Sequence, residues 1–163
     1  MKLLLLSDTH GAIDRFEVAL KMAEKSEINL VVHAGDFAFG RVAEVMKLFP
    51  EMQFKIARGN ADTDEEMVRE VQKLANVELG EVVFFKAGGK QFAISHFESV
   101  AENEAKKQGK TIDIFVHGHT HRAEAREENG VAVINPGSLY EDPYVWTLRL
   151  PEMKLERKIF EEV

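Results

Sequence analysis

The sequence predicts an α/β fold in which two β-sheets share one core and helices lie outside it. Three observations lead there. In the first half, short apolar runs alternate with amphipathic stretches, strand, helix, strand, helix, strand, the pattern of right-handed crossovers and a parallel sheet. In the second half, Gly88-Gly89 and Asn129-Gly130 each separate two apolar runs, which are hairpin signals. The chain has 163 residues with no internal repeat, low-complexity tract or linker, so residues 1–163 are read as a single domain, long enough to bury a core without disulfides.

Taken in order, residues 2–6 are a continuous apolar run that stops at SDTHG, as a buried strand entering a loop does. Ile13, Phe16, Leu20 and Ala23 recur at helical spacing and predict an amphipathic helix over 12–25. NLVVHAGD is a second strand entering a glycine loop, RVAEVMKLF a second helix ending before Pro50, and QFKIARGN a third strand. VVFFKAGGKQFAIS is a hairpin, 100–108 a helix, TIDIFVHG another buried strand, and AEAREENGVAVIN a second hairpin. After Pro143, YVWTLRL, a turn at 151–154 and LERKIFE form a last hairpin. Trp146 and the pair Phe84-Phe85 are read as core or interface residues.

Composition removes several function classes. The net charge of −7 argues against a broad nucleic-acid platform, and stable nucleic-acid binding is not expected. No apolar run approaches the length of a membrane span. The opening MKLLLL passes directly into Ser7, Asp8, Thr9 and His10 without a small-residue cleavage site, so a cytoplasmic chain is expected. With no cysteine, any metal site must use histidine, carboxylate and amide donors, which favours a catalytic over a structural metal.

The polar residues concentrate where the apolar runs end, the place where ligands gather in parallel sheets. Asp8 and His10 follow the first run, Asp36 the second and Asn60 the third. His96 ends FAIS, and His119 and His121 follow IDIFV within VHGHTHR, where alternation sets histidines on one side of an extended segment. These seven residues, two Asp, one Asn and four His, are oxygen and nitrogen donors suited to transition metals better than to calcium. Seven exceed the needs of one ion, whereas two ions sharing a carboxylate would use them all. A binuclear metal centre is therefore expected. Ser7, Ser95 and Ser138 have no base beside them in sequence and are read as caps or turns. His33 and His117 are read as structural, Arg58 as a phosphate contact or a partner of loop carboxylates, and Asp62 as a support for the ligands.

The series Asp8-x-His10, Gly35-Asp36, Gly59-Asn60, His96 and Gly118-His119-x-His121 closely resembles the calcineurin-like metallophosphoesterase superfamily, in the family's order across most of the chain. The short length, NPGS at 135–138 and the absence of a cap domain resemble its small prokaryotic YfcE-type phosphodiesterases. The resemblance implies a four-layer α/β/β/α sandwich, two mixed sheets flanked by helices, with two divalent ions at one end. It implies that Asp8, His10, Asp36 and His121 hold one ion and Asp36, Asn60, His96 and His119 the other, with Asp36 bridging. Manganese or nickel come first, with iron, cobalt, zinc and magnesium as alternatives, and Asp36, Asn60 and His119 are the residues at the chemistry. The implied activity is hydrolysis of a small phosphoester, a diester before a monoester, by attack of a metal-bridging hydroxide. Two departures stand out: Ala61 occupies the place where many relatives carry a histidine acid, and Phe97 follows His96 where many have glycine. Two other readings come from relatives: an interaction scaffold like the retromer subunit of this fold, and a nuclease. A symmetric dimer is compatible with the sequence and not indicated by it.

Overall fold

The computed structural model describes residues 1–159. The first half runs through β1 (Lys2–Leu6), α1 (Ile13–Lys25), β2 (Leu30–His33), α2 (Val42–Lys47), β3 (Gln53–Ala57), α3 (Glu65–Gln72) and β4 (Val77–Gly80). The second half contains β5 (Val82–Ala87), β6 (Lys90–Ser95), α4 (Glu98–Lys107), β7 (Ile114–Val116), β8 (Glu124–Glu128), β9 (Val131–Asn135), β10 (Tyr144–Arg149) and β11 (Lys154–Ile159). The last strand read in LERKIFE reaches the edge of the described residues, and Phe160 and Glu161 lie outside them.

One sheet has the order β11-β10-β1-β2-β3-β4 and the other β5-β6-β7-β9-β8. Strands β1 to β4 are mutually parallel, as are β6, β7 and β9, while β5, β8, β10 and β11 add antiparallel edges, so both sheets are mixed. The period of two in β1 sets the layering: Leu4 and Leu6 pack with Phe16, Leu20, Met46 and Val71 from the three helices on one side. Leu3 and Leu5 pack on the other side with Phe92, Ile94, Ile114 and Val116 of the second sheet. A strand buried on both faces needs an unbroken apolar run, which is why LLLL appears where alternation would otherwise be expected. Helix α4 sets Ala101 and Ala105 against Ala93 on the far side of the second sheet, completing the helix, sheet, sheet, helix order. Phe85 stacks on Phe92 with centroids 4.7 Å apart, and Trp146 packs against the inter-sheet core.

Two elements escape the sequence pattern. Helix α3 is only eight residues long and mostly polar, with Met67, Val68 and Val71 as its apolar face, and β4 is an edge strand with no buried residue, so neither carries the long apolar run that marks the other elements. A local signal for α3 does exist: Asp64 caps it, its Oδ1 accepting the N–H groups of Glu66 and Met67 at 3.1 Å each. Helix α4 also starts two residues earlier than the spacing predicts, at Glu98, with Phe97 as its N-cap in extended backbone.

Candidate metal centre

The carboxyl ends of β1, β2, β3, β6 and β7 converge on one edge of the sandwich, and all seven sequence-predicted donors sit in the loops that leave them. The backbone there is unusual. Asp8, His10, Asp36, His119 and His121 all have φ between 41° and 68°, the left-handed region, and they make up five of the eight non-glycine residues with positive φ among those described. Such conformations cost about 1–3 kcal/mol each and persist where the surroundings over-determine them. Neighbouring glycines are required by close approach. A Cβ on Gly59 would lie 2.1 Å from Asp36 Oδ1, and one on Gly118 would lie 2.0 Å from Ser7 Oγ and 2.6 Å from Asp8 Oδ2.

The donors form two adjoining groups. In the first, His10 Nε2 and His121 Nε2 are 3.0 Å apart, and Asp8 Oδ1 is 3.5 Å from the former and 3.2 Å from the latter. In the second, Asn60 Oδ1 lies 3.0 Å from His96 Nε2 and 3.1 Å from His119 Nδ1. Asp36 Oδ2 sits between them, 3.3 Å from His10 Nε2 and 3.4 Å from His96 Nε2. Asp8 is close to both groups as well, clustering with His10 and His121 and with Asp36 and His96.

The surroundings orient these atoms. His96 donates Nδ1–H to the Ala34 carbonyl at 2.9 Å, which leaves the Nε2 lone pair facing the site. His121 Nδ1 is 2.9 Å from Glu141 Oε1, with the same consequence at its Nε2. Asp8 Oδ2 accepts from Ser7 Oγ at 2.5 Å and from the His119 N–H at 3.1 Å, while Asp8 Oδ1 is buried with no hydrogen-bond partner. An orphaned, fully buried carboxylate oxygen beside two inward imidazole nitrogens is a donor set that a divalent cation fits. Burial works against protonation of His121, but the hydrogen bond to Glu141 and the charges of Asp8, Glu141 and Asp36 outweigh it and raise its pKa. The same negative field favours a bound cation.

Asp62 is more central than its sequence position suggests. Its buried carboxylate accepts four backbone N–H groups: Phe37 and Ala38 at 2.7 Å each, Asp36 at 3.0 Å and Gly59 at 2.6 Å. It therefore locks the loops after β2 and β3 together and holds Asp36 by its backbone. Arg58 braces the same loop, donating to the Asp62 carbonyl at 2.9 and 3.1 Å and to the Glu65 carboxylate. Ala61 contributes only its N–H, donated to Asp36 Oδ1 at 2.8 Å.

His33 and His117 stand behind the site. His33 Nδ1 accepts the Gly35 N–H at 3.2 Å, so Nε2 carries the proton and donates to Thr9 Oγ1 at 2.7 Å. Burial, with the charges of His96 and His10, pushes the His33 pKa down to about 3. Burial also lowers that of His117, against the pull of Glu98. Three supporting residues have only weak sequence signals. Asn135 donates Nδ2–H to the Gly118 carbonyl at 3.0 Å and to Thr120 Oγ1 at 2.9 Å, fixing the GHTH loop, and Ser138 Oγ donates to the Asp8 carbonyl at 3.1 Å. The NPGS stretch is thus the frame of the site, and Glu141 follows it. Each of the three serines read as caps has its hydroxyl engaged: Ser7 with Asp8, Ser95 with the Phe97 carbonyl at 2.6 Å, and Ser138 as above.

Two sheets ending in such loops define a class of metal-site α/β sandwich, and comparison with known proteins narrows it. Residues 1–146 match the model of the calcineurin-like phosphoesterase superfamily domain, and the chain belongs to that superfamily. A protein of Methanocaldococcus jannaschii named phosphodiesterase MJ0936 is 30% identical over 149 residues, covering 84% of this chain and 83% of that protein. Among solved structures, an archaeal phosphodiesterase superposes with a TM-score of 0.81 at 22% identity, covering 98% of this chain and 99% of the other. The phosphoesterase YfcE of E. coli gives 0.70 at 19%, covering 99% and 100%. Zinc-bound Vps29 of Entamoeba histolytica shares the fold at 0.60 and 20%, covering 99% and 100%.

Proposed function

We propose that this chain is a phosphodiesterase that uses two divalent ions, manganese or nickel first, to hydrolyse small phosphodiesters. Asp8, His10, Asp36 and His121 would hold one ion and Asp36, Asn60, His96 and His119 the other. Held by these residues, two ions would supply a water of near-neutral pKa and polarised phosphoryl oxygens, so that no protein nucleophile would be needed. The position of Asp36 Oδ2, within 3.4 Å of one histidine from each donor group, carries the reading. The engaged serine hydroxyls and the orphaned Asp8 Oδ1 support it.

The part played by the chain is preorganisation. Asp62 fixes the Asp36 and Gly59 backbones, Asn135 fixes the loop carrying His119 and His121, and Ala34 and Glu141 orient two imidazole rings before any ligand arrives. Nothing at Ala61 donates a side-chain proton to a departing alkoxide, which favours esters with stable leaving groups. The reading includes one domain over 1–163 acting in the cytoplasm without stable nucleic-acid binding. The charge of −7 supports the last point, and among the described residues no helix is long and apolar enough to cross a membrane.

The test is turnover of bis(p-nitrophenyl) phosphate beside p-nitrophenyl phosphate by metal-stripped protein, with manganese, nickel, zinc or magnesium restored singly. Metal-dependent cleavage with preference for the diester is the expected result. Tight metal binding without turnover in any ion would favour the scaffold reading.

A further inference from the structure

Next to the second donor group lies a groove of about 320 Å³, with Phe97, Glu98, Glu102, His117, His119 and Thr120 among the residues that line it. Phe97 is 39% exposed, a large apolar side chain left open beside a polar centre. Its ring is not free to swing away without losing contacts: it packs against His119 with centroids 4.4 Å apart and against His96 at 5.1 Å. Its backbone caps α4, which anchors the residue further. The result is a positioned aromatic wall touching two of the proposed metal ligands.

The rest of the groove constrains what fits. Among the described residues its lining holds Glu98 and Glu102 and no lysine or arginine, so it repels an occupant bearing a further phosphate. Glu98 is held in place by an ion pair between its Oε1 and Arg126. On the floor, His117 is 5% exposed, and its Nε2 is buried without a hydrogen-bond partner; Glu98 Oε2, 3.5 Å away, does not make the bond.

We propose that this groove receives one ester group of the substrate, an aryl group without further phosphate, such as a substituted phenyl ring, stacked on Phe97. Phe97 is thereby a specificity-determining residue. The inference builds on the phosphodiesterase reading above, since the metal centre must hold the phosphoryl group that the groove flanks. It also fits Ala61: a site without that proton donor works best on esters of aryl type.

Binding of phenylphosphonate and ethylphosphonate tests it, because neither carries an ester to hydrolyse and the two differ only in the group offered to Phe97. With manganese present, the wild-type protein should bind phenylphosphonate about tenfold more tightly than ethylphosphonate, the range of one aromatic stack. Phe97→Ala and Phe97→Leu should each bring the ratio of the two affinities to within about twofold of one, and Phe97→Tyr should retain the wild-type ratio. A preference that survives Phe97→Ala and Phe97→Leu, or an equal loss for both ligands, overturns the proposal, as does failure to bind either phosphonate. The two readings fail separately. Phe97-dependent preference without turnover of any diester keeps the groove and sinks the phosphodiesterase, whereas diester turnover without the preference does the reverse.

Discussion

Asp62 and Asp36 are joined through the backbone: the Asp62 carboxylate accepts the Asp36 N–H at 3.0 Å, while Asp36 keeps Oδ2 for the histidines of both donor groups. One carboxylate thus positions the other, and the division of labour separates stability from chemistry.

Replacing Asp62 should therefore damage the fold first. In Asp62→Asn the amide nitrogen must face backbone N–H groups that now have an acceptor, leaving at least one buried donor unsatisfied. A loss of about 2–4 kcal/mol in denaturant unfolding is expected, with turnover reduced in the protein that remains folded. Unchanged stability would show that the four-donor clamp is not formed in solution.

Asp36→Ala should behave in the opposite way. It removes the oxygen shared by the two groups while leaving the Asp62 clamp to the backbone of residue 36. Metal content measured by elemental analysis should fall below two ions per chain, and diester turnover should drop by about a thousandfold or more. Retention of both ions with full turnover would disprove the ligand assignment.

At Ala61 the consequence concerns the leaving group. Alkyl diesters should be hydrolysed far more slowly than nitrophenyl diesters, by roughly a hundred- to ten-thousandfold beyond what a site with a positioned acid shows. Ala61→His should narrow that ratio. Equal rates on both classes in the wild-type protein would mean that another acid serves or that leaving-group departure does not limit the rate.

His33, buried directly behind the donors, supplies a pH signature of its own. Its pKa is about 3 in the folded chain against 6.5 for an ordinary histidine, so the unfolded chain binds a proton below about pH 6.5 that the folded chain does not. Stability from the neutral ring is complete above pH 6.5 and falls by about 1.4 kcal/mol per pH unit as pH drops towards 3. Imidazole NMR at pH 5 should show His33 neutral, with the proton on Nε2, and His33→Gln should show a shallower acid slope. Titration of His33 near 6.5 in the folded protein would contradict the buried pair with Thr9.

Much of the fold was legible because its causes are local. The unbroken LLLL marks a strand buried on both faces, Phe16, Leu20 and Ala23 mark a helix face, and Gly88-Gly89 and Asn129-Gly130 mark tight turns. Helix α3 is marked less plainly: Met67, Val68, Val71 and Leu74 stand at helical spacing behind the Asp64 cap, but the stretch is short and mostly polar. The candidate donors were visible for a related reason: polar residues with glycines just past an apolar run have few roles other than turns and ligands.

The sequence by itself determined which residues end each strand, which turn and which alternate, because side-chain period and glycine's backbone freedom act over a few residues. Only the tertiary structure decided what meets what. His10 and His121 are 111 positions apart and 3.0 Å from each other; Asp36 and Asp62 are separated by 26 positions and one hydrogen bond. Those distances come from burying Leu3 and Leu5 of one sheet against Ile94 and Val116 of the other, which brings the carboxyl ends of both to the same edge. Phe97 shows the same dependence: in the sequence it is one apolar residue after a histidine, and only the packing of His119 from the next strand's loop beside its ring makes it the wall of a groove.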